Sequence, residues 1–186
     1  MTRLWLVRHG PTHARVLLGR TDLPADLSDH AAIARLRAAL PEAAVVSSDL
    51  RRAVATADAL AGPDRRLPHE QALREMDFGD WDGRAAAEIE DPTLRLFFED
   101  PGARRAPEGE SWDDLAARVS TALDRLARDR ADLVVVAHMG AILTQWARAT
   151  GLAPYDALAQ EIVPLSVTRI DLHQGEARAV SVNRLS

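Results

Sequence analysis

Two histidines in this sequence each close an apolar run. "LWLV" leads into Arg8 and His9, and "DLVVVA" leads into His138. A third apolar run, "AVVSS", delivers Ser47 and Ser48, with Arg51 and Arg52 just beyond in "DLRRAV". If these runs are neighbouring parallel strands, their carboxyl ends share one edge of a sheet, where open α/β folds bind their ligands. His9, His138, Arg8 and Arg52 then meet at one point, beside the free N–H groups of a helix start. Guanidinium groups bind phosphoryl oxygens in bidentate fashion, so two of them with two imidazoles describe a phosphate pocket. The arginine charge is expected to depress the histidine pKa values and keep His9 neutral, hence nucleophilic.

The elements that must position these residues follow from pattern. Leu4 to Val7 reads as a buried strand stopped by Gly10-Pro11. Ala31 to Leu40 reads as a helix ended by Pro41, Ala43 to Ser47 as a strand, and Leu50 to Ala61 as a helix closed by Gly62-Pro63. Leu67 to Leu73 reads as extended and irregular, Asp77 to Gly83 as a turn, and Arg84 to Phe98 as one or two short helices. After a Pro/Gly loop over Ala103 to Gly109, Ser111 and Asp114 stand at capping-box spacing. Leu115, Val119, Ala122, Leu123 and Leu126 then recur on one helix face. "DLVVVAH" is apolar enough for a strand buried on both faces, and a helix is expected from Gly140 to Thr150. Ser166 to Leu172 and Ala177 to Val182 read as a closing strand pair around Gln174-Gly175. Strands alternating with helices give a three-layer α/β/α sandwich with a largely parallel central sheet. Length and a 47% hydrophobic content fit one domain over 1–186, with a cap-like insertion at about 84–112.

Composition excludes several chemistries. All 23 basic residues are arginine, so a Walker-type phosphate loop and Schiff-base catalysis have no lysine. There is no cysteine, hence no disulfide, thiolate metal site or cysteine nucleophile. A net charge of -5 offers no footprint for nucleic acid or an acidic membrane. No apolar run suggests a signal peptide or a membrane span, so a cytoplasmic protein is expected. His9 and His13 have the spacing of a zinc pair, but Gly10-Pro11 breaks any helix between them. "DFGDWDG" lacks the alternating acids and distal Glu of a calcium loop. No metal and no cofactor are expected.

The wider context of "LVRHGPT" resembles the Arg-His-Gly signature of the histidine phosphatase superfamily, the phosphoglycerate mutase-like family. "SSDLRRAVATA", residues 47 to 57, is similar to the family's Ser-Ser-x-Leu-x-Arg-Ala-x-x-Thr-Ala segment and maps its phosphate arginine onto Arg52. "LREMDFGDWDG" resembles Leu-x-Glu-x-x-Phe-Gly-x-Trp-Glu-Gly, with Glu75 in the acid position. "PEGESWDDLAARV" and "VVAHMGAI" resemble the later helix start and the second-histidine motif. The resemblance implies a metal-independent phosphomonoesterase acting on a small phosphorylated metabolite. His9 would attack phosphorus in line and become phosphohistidine. Glu75 would protonate the leaving oxygen and then deprotonate water. Arg8, Arg52 and His138 would hold the phosphoryl oxygens.

Departures from the family pattern fall on the leaving-group side. Pro11 stands where Glu or Gln is common, Arg15 where Asn is common, and Met139 where Gly is frequent. Thr12, Arg15 and Met139 are candidate substrate contacts, and Phe97, Phe98, Arg104 and Arg105 are candidates for choosing the leaving group. Asp77, Asp80 and Asp82 compete with Glu75 for the acid role. His138 has a bland reading as a core histidine, and Arg52 as a surface helix residue. The alternatives are a phosphoglycerate mutase, which usually carries a tail not obvious here, an α-ribazole phosphate phosphatase, or a non-catalytic phosphate-binding protein. Monomer and homodimer are both compatible with the sequence.

Overall fold

The computed structural model describes residues 1–185. A five-stranded sheet has the order β2-β3-β1-β4-β5, formed by β1 (Thr2–Arg8), β2 (Ala44–Ser47), β3 (Asp132–Ala137), β4 (Val167–His173) and β5 (Glu176–Arg184). β2, β3 and β1 are parallel, while β4 is antiparallel to β1 and β5 to β4. The register opposes Arg8 to Ala137 and Ser47 to Val136. That alignment carries His9, Ser48 and His138 off the same edge.

The all-apolar strands are explained by their two covered faces. Val7, Val45, Val134 and Val136 face one cluster, which includes Leu36 of α1 (His30–Ala39) and Ala53, Ala57 and Leu60 of α2 (Arg51–Leu60). Leu4, Leu6, Leu133 and Val135 face the other. There they meet Leu115, Val119 and Leu123 of α4 (Trp112–Leu126) and Ile142 and Leu143 of α5 (Met139–Thr150). The period-2 alternation within β1 and β3 thus divides one apolar run between two helix layers.

Helix boundaries follow local chemistry. The Ser111 hydroxyl accepts from Asp114 N–H and the Asp114 carboxylate accepts from Ser111 N–H, so the expected capping box is complete. The segment before it contains a single turn at Ala86–Glu88 and α3 (Thr93–Glu99). A short helix that the sequence pattern does not announce, α6 (Pro154–Leu158), follows α5. Among the described residues no helix is long and apolar enough to cross a membrane.

Gly79, in the segment expected as a turn, has φ +50°, and a Cβ there would sit 1.9 Å from the Pro107 carbonyl oxygen. Gly175 in the closing hairpin has φ +86° but open space around it. Gly175→Ala should therefore cost only the left-handed backbone penalty, roughly 1–2 kcal/mol. Gly79→Ala should cost clearly more, because the 106–109 loop must also move. Urea denaturation of the two variants checks this, and equal losses would contradict it.

Candidate active site

His9 leaves β1 as the chain turns, and Gly10 fixes how it points. The imidazole Nδ1 lies 2.7 Å from the Gly10 carbonyl oxygen. A carbonyl only accepts, so Nδ1 carries the proton and donates it, leaving the Nε2 lone pair free. The Gly10 N–H donates to Thr56 Oγ1 at 2.9 Å, tying the turn to α2. A Cβ on Gly10 would lie 2.5 Å from Leu27 Cδ2 and 3.2 Å from the Asp26 carbonyl oxygen, so the 25–27 segment packs closely on this turn. His9 is buried, and its pKa is lowered to about 3. Burial is the main cause, and the charges of Arg52 and Arg8 add to it. Both effects disfavour the imidazolium, and desolvation outweighs the arginine charge that was expected to cause the shift.

Behind His9 lies a second layer. The His138 and His9 ring centroids are 5.0 Å apart. His138 has no exposure. Its Nδ1 accepts from Arg52 Nε at 3.2 Å, so in the neutral ring Nε2 holds the proton and donates to Ser48 Oγ at 2.7 Å. Its pKa lies well below the ordinary value, through burial first and then the neighbouring His9 and Arg52. Arg52 is equally buried and donates to the carbonyls of Thr21 at 2.9 Å and Gly19 at 2.7 Å. It is therefore neither a surface residue nor a free one. Arg51 N–H donates to Asp22 Oδ1 at 2.7 Å, so the start of α2, expected to face an anion, is already occupied by a carboxylate of this chain.

Arg8 differs. One terminal nitrogen donates to the Ile162 carbonyl, while Nε is buried with no hydrogen-bond partner. Arg8 lines the same cavity as His9, so its unpaired donor is one that an anion there could satisfy. Burial lowers the pKa of both Arg8 and Arg52, and the Glu75 charge is the strongest influence opposing it.

Glu75 is buried at the start of α5. Its Oε2 accepts from Gly140 N–H at 3.0 Å and its Oε1 from Met76 N–H at 2.9 Å. A cavity of about 180 Å³ opens over His9, and Arg8, Thr12, Glu75, Met139 and Gly140 all line it. Glu75 is the only carboxylate in that lining. Asp80 is exposed, and Asp82 is spent accepting from Gly19 N–H and Thr21 N–H. Phe97, Phe98 and Arg104 line the cavity, whereas Arg15 is exposed and away from it, as is Arg105, which pairs with Asp114. Arg52 and His138 contact His9's surroundings rather than the cavity wall.

Sequence reasoning assigned nothing to Glu110 and Arg118, although both lie in a quoted motif. Arg118 grips Glu110 through two nitrogens at 2.7 and 2.8 Å. It also donates to the carbonyls of Ala72, Arg74 and Glu75 at 2.9, 2.8 and 2.9 Å. This clamp fixes the backbone that presents Glu75. Burial would raise the Glu110 pKa, but Arg118 and the Asp77 N–H hold it below its ordinary value. Among the described residues no group of three or more His, Asp or Glu is arranged to hold a metal ion.

Two expectations follow. An unfolded His titrates near 6.5, whereas folded His9 titrates at about 3, so below pH 6.5 the unfolded chain binds the extra proton and stability falls with pH. His9 alone should cost on the order of 2 kcal/mol on going from pH 8 to pH 5. His138 acts in the same direction. Denaturation of wild type and His9→Gln at both pH values measures the difference. Second, a Cβ on Gly140 would lie 2.5 Å from Glu75 Oε1. Gly140→Ala should displace that carboxylate from the Met76 and Gly140 N–H groups while leaving the protein folded, and a crystal structure of the variant with Glu75 unmoved would contradict this.

With this geometry in view, comparison with known proteins is direct. The family model "Histidine phosphatase superfamily (branch 1)" matches residues 4–185. A glucosyl-3-phosphoglycerate phosphatase of Mycolicibacterium vanbaalenii is 35% identical, over 81% of this chain and 75% of its own. An adenosylcobalamin/alpha-ribazole phosphatase of Escherichia coli is 30% identical, over 84% of this chain and 82% of its own. Among solved structures, Bacillus stearothermophilus YhfR superposes with a TM-score of 0.88 at 25% identity, covering 100% of this chain and 98% of that one. The chain belongs to branch 1 of the histidine phosphatase superfamily, an enzyme of the phosphatase type.

Proposed function

We propose that this protein is a phosphomonoesterase that hydrolyses its substrate through a phosphohistidine on His9, without a metal. The observation that carries this reading is the free Nε2 lone pair of His9 in a cavity lined also by Arg8, whose Nε is unpaired, and by Glu75, the one carboxylate of that lining among the described residues. Nε2 attacks phosphorus opposite the ester oxygen, the N–P bond forms and the P–O bond breaks. Glu75 gives its proton to the departing alkoxide, which leaves as an alcohol. Glu75 then takes a proton from water as the water oxygen attacks phosphorus and the N–P bond breaks, releasing inorganic phosphate and restoring His9. Arg8 supports the phosphoryl oxygens through Nε. Arg52 has a second N–H on each terminal nitrogen for the same purpose, and the neutral His138, held between Arg52 and Ser48, keeps that guanidinium in place. Residues 84–112 act as a cap beside the cavity.

The phosphatase names of the two curated relatives favour transfer to water over transfer to a second phosphoglycerate. Turnover of a phosphomonoester with EDTA present, in wild type, His9→Ala and Glu75→Gln, tests the reading. Wild type should turn over and His9→Ala should fall to below about a thousandth. Glu75→Gln should lose about 10²–10⁴-fold on an alkyl ester and less on an aryl ester, whose oxygen leaves without a proton. Turnover surviving in His9→Ala would refute the mechanism. Efficient exchange between phosphoglycerates with little hydrolysis would make the protein a mutase, and tight phosphate binding without turnover a binding protein.

A further inference from the structure

We infer that the leaving group of the substrate is an apolar alcohol about the size of one ring, rather than a sugar, a glycerol or a hydroxy acid. The inference rests on the hydrolase reading above and concerns the other half of the same cavity. Past Arg8, His9 and Glu75, the walls are Leu17, Phe78, Phe97, Phe98, Trp112 and Met139. Three side chains there offer polar groups: Thr12, Arg104 and, through its indole N–H, Trp112. The Thr12 hydroxyl lies 3.5 Å from the Ala14 N–H, and Arg104 is half out in solvent and paired with Asp100 at 3.3 Å. A polyol bound against these walls would lose water from several hydroxyls and regain few hydrogen bonds, which disfavours it strongly. A carboxylate on the leaving group would be buried among these walls with only Arg104, already paired with Asp100, to meet it.

The apolar wall is fixed in shape. Phe97 is buried and packs edge-on against Phe98, Trp81 and Phe78, with ring centroids 5.1, 5.3 and 6.3 Å away. Trp81 is itself held by Asp91 through its indole N–H at 3.2 Å. Such a cluster does not rearrange to supply polar groups. The whole cavity, phosphoryl end included, is about 180 Å³, so its apolar part holds a group no larger than one ring. At the mouth, Met139 is 41% exposed, so the apolar surface continues outward and a longer chain still finds contact. These features together select for buried hydrocarbon next to the ester oxygen.

The test uses the full chain with straight-chain alkyl phosphates from methyl to hexyl, benzyl phosphate, glycerol 3-phosphate, 3-phosphoglycerate and glucose 6-phosphate. Benzyl rather than phenyl phosphate keeps leaving-group acidity from deciding the ranking. kcat/KM should rise about fourfold per methylene until the cavity is filled. Benzyl phosphate should exceed glycerol 3-phosphate by about 100-fold or more. Phe98→Asn, at a partly exposed wall position, should shrink that ratio about tenfold, and Leu158→Asn replaces it should the first not fold. A flat alkyl series, or a polyol phosphate or 3-phosphoglycerate matching benzyl phosphate, would overturn the inference. Calorimetric binding of benzylphosphonate against glycerylphosphonate separates the two readings. Should no ester turn over, the hydrolase reading fails, and the phosphonate preference still decides whether the pocket selects apolar groups.

Discussion

Arg52 carries a positive charge with no exposure to solvent. Removing a guanidinium from water is costly unless every donor finds a fixed partner, and the site is arranged around meeting that demand. The carbonyls of Gly19 and Thr21 take the terminal nitrogens, and His138 takes Nε. Asp82 then holds the same 19–21 loop from its N–H side. One buried cation thereby joins α2, the loop after β1 and the end of β3. It also sets the His138 tautomer, because a ring nitrogen that accepts from Arg52 cannot carry a proton. With His138 fixed on Ser48, the imidazole of His9 packs against a rigid surface and its own tautomer is set by Gly10.

Glu75 is positioned by a separate device on the opposite side. Two N–H groups, one at the start of α5, hold its carboxylate, and the Arg118–Glu110 clamp holds its backbone. His9 is thus held from the end of β1 and Glu75 from the start of α5, and Arg8 lines the cavity with them, with an unpaired Nε.

Most of this was visible in the residues before any coordinates. The strand-end placement of His9 and His138 follows from apolar runs that could only be buried strands, and the parallel register of β1, β2 and β3 brings those ends together. Phe97, Phe98, Arg104, Thr12 and Met139 line the cavity. Arg15 does not, because a loop residue's direction depends on how its turn is tethered, and spacing does not encode that. The helix start at Arg51 looked free for an anion because Asp22, its partner, is far away in sequence. The Arg118 clamp was hidden for the same reason, as it reaches carbonyls 43 to 46 positions earlier in the chain. Backbone carbonyls carry no sequence signature at all. α6 has five residues, too few for a period to be seen.

The most direct measurement is a rapid quench of Glu75→Gln with an aryl phosphate, followed by mapping of the phosphorylated peptide. Formation of the phosphoenzyme needs no proton for such a leaving group, whereas its hydrolysis has lost the group that activates water. The account predicts a burst of phenol near one equivalent per chain, with acid-labile phosphate on His9. Steady turnover with no burst and no phosphorylated His9, or a label on another residue, would contradict it.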